Sequence, residues 1–349
     1  MVRFSDIINI KDMERPKGKS LGKEAEEDRL RLSNVQLLKR KEERISAEPS
    51  FRDNGHLEIV TYYEKFLERA MNVRERVNND QGISPSPILT DLHYIINKNL
   101  IDELYEYSMS APDDYDEIMV HTIMVTFASL KVGKGMGYDT EMLLKLGLAA
   151  FLENVGIYKI PGSILRIKGR LEEGERRLLI EHPRLSYEIL ALMGERYKWL
   201  AKLALQIHER ADGSGYPDGM QGEEINELAS IIGLIDTYVS LLKDGLDGDP
   251  LGPTDAIKFI IKNNKDLFPP KILKVFLNQI SLFPVNTYVK LNSKFIGRVI
   301  STEEKQPLRP VIELLYDGPG NRMEKREIIN LAENPLLYVL ESIHEKDLP

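Results

Sequence analysis

The histidines of this 349-residue chain are the residues whose side chains are best suited to carry out chemistry. There are six of them and no cysteine, which excludes disulfides, thiolate nucleophiles and cysteine-bound metal centres. Any metal ion would therefore have to be held by histidine and carboxylate side chains. Three of the histidines stand near carboxylates in helix-forming segments, namely His121, His182 and His208. These three are the candidates for a metal site.

The spacing around these histidines suits metal ligands. Glu117 and His121 are four residues apart, which places both side chains on one face of a helix. His182 precedes a proline, which should end one helix and leave the imidazole at a helix junction. Asp236 interrupts an otherwise apolar helical segment, and a buried carboxylate of that kind needs a cationic partner. Each feature alone also has an ordinary structural explanation.

A glycine-rich loop follows His208. It runs from Asp212 to Gly219 and contains Asp-Gly, Ser-Gly and Pro-Asp-Gly, which are common turn sequences. On its own the loop would be a plain connection. Its order and spacing relative to the histidines favour a functional interpretation.

The segment from Ile207 to Ile225 closely resembles the signature of HD-GYP domains, which are bacterial hydrolases of cyclic di-GMP. It begins Ile-His-Glu-Arg-Ala-Asp-Gly-Ser-Gly-Tyr-Pro-Asp-Gly. The similarity extends over about residues 113–280, where a Glu-His-Pro triplet at His182 and the helix of Asp236 follow in the family's order. The resemblance implies an all-helical fold of the HD superfamily around a site for two or three metal ions, usually iron or manganese.

The chain keeps some of the metal ligands that the resemblance implies and changes others. The retained positions are Glu117, His121, His182, His208 and Asp236. The family's Leu-His-Asp-x-Gly-Lys segment reads Leu-Glu-Asn-Val-Gly-Ile here. Glu153 thus replaces the histidine, Asn154 the metal-bridging aspartate and Ile157 the lysine. Ile207 stands where the His-His-Glu motif of the family has its first histidine.

These changes limit the chemistry that the site can support. Two divalent ions a few ångströms apart repel each other, and a bridging carboxylate relieves that repulsion. Asn154 is neutral, whereas Glu153 restores a carboxylate nearby. A single ion held by some of Glu117, His121, Glu153, His182, His208 and Asp236 is therefore chemically reasonable. We expect one iron, manganese or other divalent ion, or none, and no dinuclear hydrolase of normal activity.

Three functions are compatible with these residues. The favoured one is a degenerate HD-GYP domain with lost or weak phosphodiesterase activity, acting in cyclic di-GMP signalling as a regulatory or protein-interaction module. The second is an active phosphodiesterase with a rearranged metal site, in which Glu153 replaces the lost histidine. The third is a sensor that binds cyclic di-GMP without cutting it, although the sequence shows no basic cluster for such binding.

The loop supports the first of these functions. In the family it is linked to partner contacts, including those with GGDEF-domain proteins, and its matching residues are Asp212, Gly213, Gly215, Tyr216 and Pro217. If selection acted on partner binding and not on catalysis, the loop would be kept while the metal ligands changed, which is the pattern in this sequence. Inheritance of a loop needed for folding is the alternative.

The overall charge and the first residues of the chain limit which classes of partner are expected. The chain has 47 Lys and Arg against 55 Asp and Glu, a formal net charge of −8, opposite in sign to the field expected of a nucleic-acid binder. Its start lacks the apolar stretch of a signal peptide or membrane span. We expect a cytoplasmic protein with neither nucleic acid nor membrane as a partner.

The elements that must position these residues are mainly helices. Apolar residues three, four or seven apart predict helices at about 113–134, 140–153, 172–181, 184–194, 197–211, 226–243, 253–263 and 269–280. After Phe283, alternation of apolar and polar residues predicts strands. The predicted fold is mainly α, an HD-superfamily helical bundle core with a small β-rich C-terminal appendage.

The same patterns divide the chain into four regions. Residues 1–52 form a charged, partly helical or disordered arm. Within it a seven-residue spacing occurs only twice, so dimerisation through this arm remains one of two alternatives. Residues 53–110 form an N-terminal helical region, 111–282 the HD-GYP-like domain and 283–349 the β-rich region.

Two amphipathic helices are predicted in the N-terminal helical region. The first carries an apolar stripe from Ile59 to Val77. The second has Ser86 as its N-cap and Pro87 in its first turn, and one apolar face runs from Leu89 to Leu104.

Overall fold

Helices form most of the chain between residues 54 and 279, which confirms the mainly α prediction. The computed structural model of the protein describes residues 54–349 except 111–114, 166, 168–170, 246–248, 281, 284, 303–305, 307 and 344–346. The predicted arm of residues 1–52 lies outside the described residues. The α-helices are α1 (Asn54–Asn78), α2 (Ser86–Asn97), α3 (Ile101–Ser110), α4 (Glu117–Gly135), α5 (Thr140–Leu152), α6 (Gly162–Leu165), α7 (Glu173–Ile180), α8 (His182–Ala191), α9 (Lys198–Ala204), α10 (Glu227–Lys243), α11 (Pro253–Phe259) and α12 (Pro270–Gln279).

The helices α4 and α10 form the centre of the core. Nearly every side chain of α4 from Met119 to Val132 is buried, as is every one of α10 from Leu228 to Leu241. The two helices pack against each other, and α3 and α5 also pack on α4. A helix that is apolar on all sides belongs in such a centre. In the described part of the chain, every helix is too short or too polar to cross a membrane.

The apolar face predicted to run from Leu89 to Leu104 belongs to two helices, and the prediction of one helix was wrong. Helix α2 ends because Asn99 adopts a left-handed backbone with φ of 56°. Leu100 N–H donates to the Ile95 carbonyl across this residue, as in a Schellman motif. The predicted N-cap was also wrong, since Ser86 is the first helical residue and Pro85 precedes it without a side-chain cap.

The helix predicted over residues 197–211 is shorter in the structure. It ends at Ala204, and residues 205–208 form turns. His208 therefore lies in a turn after α9, where its direction depends on the surrounding helices. The predicted 253–263 helix continues beyond α11 as a π-helical turn over Ile260–Asn264.

A five-stranded antiparallel sheet follows the helices, which confirms the β-rich appendage. The strands are β1 (Tyr288–Leu291), β2 (Ile296–Ser301), β3 (Val311–Tyr316), β4 (Arg322–Asn330) and β5 (Val339–Ile343), in the order β4-β3-β2-β1-β5. A separate small core forms around Val289, Val299 and Ile312. Leu282 packs against both this core and the helical one, so the appendage adjoins the end of the bundle.

Asp102 is expected to link α3 to α4 in a pH-dependent manner. Burial raises the pKa of Asp102, but hydrogen bonds from Lys131 and Lys134 outweigh it and lower the pKa below its ordinary value. Its contribution to stability is therefore present at neutral pH and lost as pH falls below about 4, through the folded-state pKa. We expect Asp102→Asn to cost about 0.5–1 kcal/mol at pH 7.

Urea unfolding at several pH values measures this effect, which should shrink as the carboxyl protonates. Asp80→Asn is the matched control, because Asp80 pairs with Lys159 while its side chain is 86% exposed. A cost for Asp102→Asn that stays constant down to pH 3 would contradict the assignment.

Candidate metal centre

Two side chains from the central helices meet in the core. His121 of α4 and Asp236 of α10 are buried, and His121 Nε2 lies 2.8 Å from Asp236 Oδ1. Although burial raises the pKa of Asp236, the hydrogen bond from His121 and the charge of the nearby Arg210 hold it below its ordinary value. Asp236 is therefore a carboxylate at neutral pH, buried inside the bundle.

Glu153 completes a group of three potential ligands. It directly follows α5, whose last residues are all buried, so the chain leaves that helix inside the core. His121, Glu153 and Asp236 each offer one ligand atom, and these atoms lie within 4.8 Å of one another. Among the described residues this is the group whose geometry suits a metal ion.

The partners of His182 and His208 indicate which ring nitrogens carry protons. His182 Nδ1 lies 2.7 Å from the Leu179 carbonyl oxygen, which only accepts, so this nitrogen is the donor. Burial lowers the pKa of His182 to about 4, so its ring is neutral near pH 7 and its Nε2 is an acceptor. His208 Nε2, which is 2.8 Å away, must then donate between the two rings.

His208 consequently directs an unprotonated nitrogen at a carboxylate. Burial, and then the neighbouring His182, lower the pKa of His208 well below its usual range, so the neutral ring carries its proton on Nε2. Its Nδ1 lies 3.8 Å from Asp236 Oδ2. Two lone pairs that face each other at this distance repel, and a cation between them would remove the repulsion.

Three buried atoms of the cluster have no hydrogen-bond partner among the described residues. They are His121 Nδ1, Glu153 Oε2 and His208 Nδ1. Burial and the charge of Asp236 also raise the pKa of Glu153 well above its usual range, so this carboxyl keeps its proton to a higher pH than an ordinary glutamate. A divalent cation would displace that proton and satisfy the unpartnered atoms. The residues therefore fit one divalent ion.

Glu117 lies apart from this cluster. It is the first residue of α4, one turn before His121, and it is exposed. It is not among the residues whose ligand atoms converge. Its role as a ligand stays a prediction, as does that of His182, which reaches the cluster through His208.

Three other positions that depart from the family's pattern lie outside the group of converging ligands. The amide of Asn154 donates to Glu153 Oε1 at 3.3 Å, and its own side-chain oxygen is buried without a hydrogen-bond partner among the described residues. Ile157 is half-buried in the short 3-10 helix that follows, and Ile207 is buried in the apolar core beside His208. None of these three side chains brings a charge to the site.

The glycine-rich loop covers one side of the cluster. The ring of Tyr216 stacks on His208 with 4.9 Å between ring centroids and an interplanar angle of 7°. Tyr216, Gly215 and Pro217 are half-buried, whereas Asp212 is exposed. The sequence predicted this loop as a partner surface, but its turn residues gave no sign that the tyrosine packs on a ligand candidate.

Glu209 is a further residue that the sequence analysis did not single out. Its buried carboxylate accepts backbone N–H groups from Asp218, Gly219 and Met220 at 2.7, 3.1 and 3.0 Å. The available signal was an acidic residue within the signature segment. Its partners are backbone groups about ten positions away, which residue types do not reveal.

Gly156 allows the turn after Glu153 to approach α8 closely. Its N–H donates to Ser186 Oγ at 2.9 Å, and a Cβ at this position would lie 2.1 Å from the His182 carbonyl oxygen. We expect Gly156→Ala to lower stability by about 1–3 kcal/mol, as overpacked sites do, and to weaken ion binding by separating Glu153 from α8.

Thermal melting and Mn²⁺ titration check both effects. Gly174→Ala is the matched control, since Gly174 lies in α7 with nothing within 4 Å of its Cβ position. That control should be neutral or stabilising by up to about 1 kcal/mol. Equal stability of the two variants would contradict the close approach.

Comparison with known proteins identifies families that match two parts of the chain. Residues 106–272 match the family described as HD domain, and residues 288–349 match the KOW domain associated with HD domain. The cyclic di-GMP phosphodiesterase PdeB of Borreliella burgdorferi is 27% identical over 217 residues, covering 62% of this chain and 57% of that protein. The cyclic di-GMP phosphodiesterase response regulator RpfG of Xanthomonas campestris is 33% identical over 147 residues, 42% of this chain and 39% of that protein.

A solved structure shares the fold. Bd1817, described as a HDG"Y"P protein from Bdellovibrio bacteriovorus, superposes with a TM-score of 0.52 at 14% identity, covering 66% of this chain and 73% of that chain. The chain spans about half the length of the first curated relatives it matches. Residues 106–272, with the Gly-Tyr-Pro loop and the buried His and carboxylate cluster, form an HD domain of the HD-GYP family.

Proposed function

We propose that the chain acts in bacterial cyclic di-GMP signalling as a degenerate HD-GYP domain that holds one divalent ion and has lost most or all phosphodiesterase activity. Its role would be regulatory, through a protein partner or a bound cyclic dinucleotide. Relatives named as phosphodiesterases of cyclic di-GMP support the signalling context. The altered metal residues support the loss of activity.

One observation carries this proposal: a neutral Asn154 lies next to the group of converging ligands that the described residues form. Two divalent ions about 4 Å apart repel each other by on the order of 16 kcal/mol at an effective dielectric constant of 20, four times the energy of two unit charges. An amide contributes no negative charge against this repulsion. The cluster therefore supports one ion and not two.

The residues of the cluster would have different roles in binding that ion. His121, Glu153 and Asp236 would be its ligands, and the unprotonated Nδ1 of His208 would face it beside Asp236. His182 orients His208, because it accepts the Nε2 proton and is itself fixed by the Leu179 carbonyl. Bound iron or manganese would supply Lewis acidity toward a phosphodiester.

We also propose that the outward side of the loop contacts a signalling partner such as a GGDEF-domain protein. Ser214, Asp218 and Gly219 are exposed, and Arg184 of α8 pairs with Asp218 at 2.7 Å. Tyr216 is unsuitable for a selective test, since it packs on His208. Ser214→Arg should weaken capture of such a partner without changing ion binding, and unchanged capture would remove the loop from the proposal.

A second candidate function is supported by the position of Glu153. It stands where the resemblance places a histidine ligand, and its carboxyl is part of the converging group. A carboxylate in place of an imidazole could hold an ion in a rearranged but active site. In that case the domain would be a phosphodiesterase with an unusual ligand set.

Turnover of cyclic di-GMP by the full chain separates the two candidates. The assay uses added Fe²⁺ or Mn²⁺ under reducing conditions. The degenerate site predicts no steady turnover above that of an Asp236→Asn variant. Steady hydrolysis that disappears in Asp236→Asn would overturn the proposal and establish the active alternative.

A further inference from the structure

We propose that Glu209 is a positioning residue. It holds the glycine-rich loop over the cluster of candidate metal ligands and, through Tyr216, fixes the orientation of His208. The site that it would act on is the one in the proposed function. Its carboxylate hydrogen-bonds to the loop backbone and not to a candidate ligand. Its effect passes through the backbone of the loop.

The Glu209 carboxylate anchors the far end of the loop. Oε1 accepts the N–H groups of Asp218 and Gly219, and Oε2 accepts that of Met220. The side chain is only 3% exposed, so no solvent replaces these contacts. Hydrogen bonds to a carboxylate are stronger than those between neutral groups, and three of them fix the backbone of consecutive residues.

The middle of the loop is held against the same segment of chain. The Tyr216 N–H donates to the His208 carbonyl at 3.2 Å. A Cβ on Gly215 would lie 2.4 Å from Glu209 Cα and from the Arg210 nitrogen, so the loop backbone runs directly against residues 209–210. The middle and the far end of the loop therefore both fold back on residues 208–210.

Tyr216 belongs to the middle one of these anchors, and its ring covers one face of His208. The stacked rings leave the edge of the imidazole free to face its two partners. His208 Nε2 contacts His182 and Nδ1 faces Asp236, so rotation of the ring would break both relations. Groups that orient a ligand in this manner change metal affinity by about 10- to 100-fold when they are mutated.

Glu209→Gln tests the proposal in the full chain, because glutamine keeps the size of the side chain but loses one acceptor oxygen and the charge. The first readout is the NMR signal of the His208 Hε1 proton in the metal-free protein, where six histidines give few signals to assign. Stacking on Tyr216 displaces this signal by a ring current. We expect it to move toward its position in Tyr216→Leu.

The second readout is Mn²⁺ affinity, which should fall by about 10- to 100-fold in both Glu209→Gln and Tyr216→Leu. Glu223→Gln is the matched control, an exposed glutamate of the following turn, and should change neither readout. A lower melting temperature alone, with the His208 signal and Mn²⁺ affinity unchanged, would show a merely structural role and overturn the proposal. So would Tyr216→Leu with unchanged affinity, even if Glu209→Gln fails to fold.

The two readouts also separate this inference from the proposed function. If the unmodified chain binds no Mn²⁺, the one-ion site fails. The ring-current comparison in the metal-free protein still decides whether Glu209 sets the stack on His208.

Discussion

Glu153→Gln is expected to abolish the metal-induced rise in melting temperature of the chain. An ion that binds only the folded state at a hundred times its Kd stabilises by about 2.7 kcal/mol. For a domain of this size that is a rise of roughly 5–10 °C. Without the Glu153 carboxylate, one of the three converging ligands is lost and the ion would meet a neutral amide.

The same substitution should leave the metal-free protein at least as stable. Burial raises the pKa of Glu153, so this group stabilises the fold only below the ordinary pKa of a glutamate and opposes folding as pH rises toward its folded-state pKa. Glutamine is neutral at every pH, so it does not have to bind a proton when the chain folds. At pH 7 the metal-free variant should therefore melt at the same or a higher temperature than the unmodified chain.

Melting curves with and without Mn²⁺ measure both effects. Glu141→Gln is the matched control, because Glu141 is 76% exposed and pairs with Lys145 one turn along α5. It should keep the full metal-induced rise. An undiminished rise in Glu153→Gln would show that Glu153 is not a ligand.

Restoring the four family-like side chains should create phosphodiesterase activity. The variant combines Glu153→His, Asn154→Asp, Ile157→Lys and Ile207→His. It returns the bridging carboxylate, two imidazoles and the cation, which together would allow a second ion and stabilise charge on the phosphate. We expect cyclic di-GMP hydrolysis to rise at least on the order of 100-fold over the unmodified chain, the size of effect that single electrostatic groups contribute.

The structure identifies where this restoration is most demanding. Asn154 already lies beside Glu153, whereas Ile207 is fully packed in the apolar core. A histidine there must replace apolar contacts, so the variant's melting temperature has to be measured with its activity. Asn154→Asp alone is the control and should not create turnover. A folded variant that binds two ions yet remains inactive would contradict the view that metal loss explains inactivity.

Most of the helices could be predicted from the sequence, and the errors have local causes. Apolar periodicity located α4 and α10 because both are buried on nearly every side. It could not locate the break at Asn99, since the leucines of α2 and α3 keep a helical spacing across it. The early end of α9 was likewise hidden, because Ile207 in the turns that follow keeps the helical spacing of Leu200 and Leu203.

The candidate ligands were predictable to a similar degree. The sequence pointed to His121, Asp236 and Glu153, and the structure brings them together. It also pointed to Glu117, which the structure leaves exposed. The stack of Tyr216 on His208 was not predictable, because it depends on how a loop closes through backbone hydrogen bonds and not on the spacing of residue types.

The number of divalent ions held by each chain tests the central claim most directly. Elemental analysis of the purified full chain after exposure to iron or manganese and gel filtration gives that number. We expect one ion per chain, which is lost in Asp236→Asn. Two tightly held ions per chain, or none even at millimolar Mn²⁺, would contradict it.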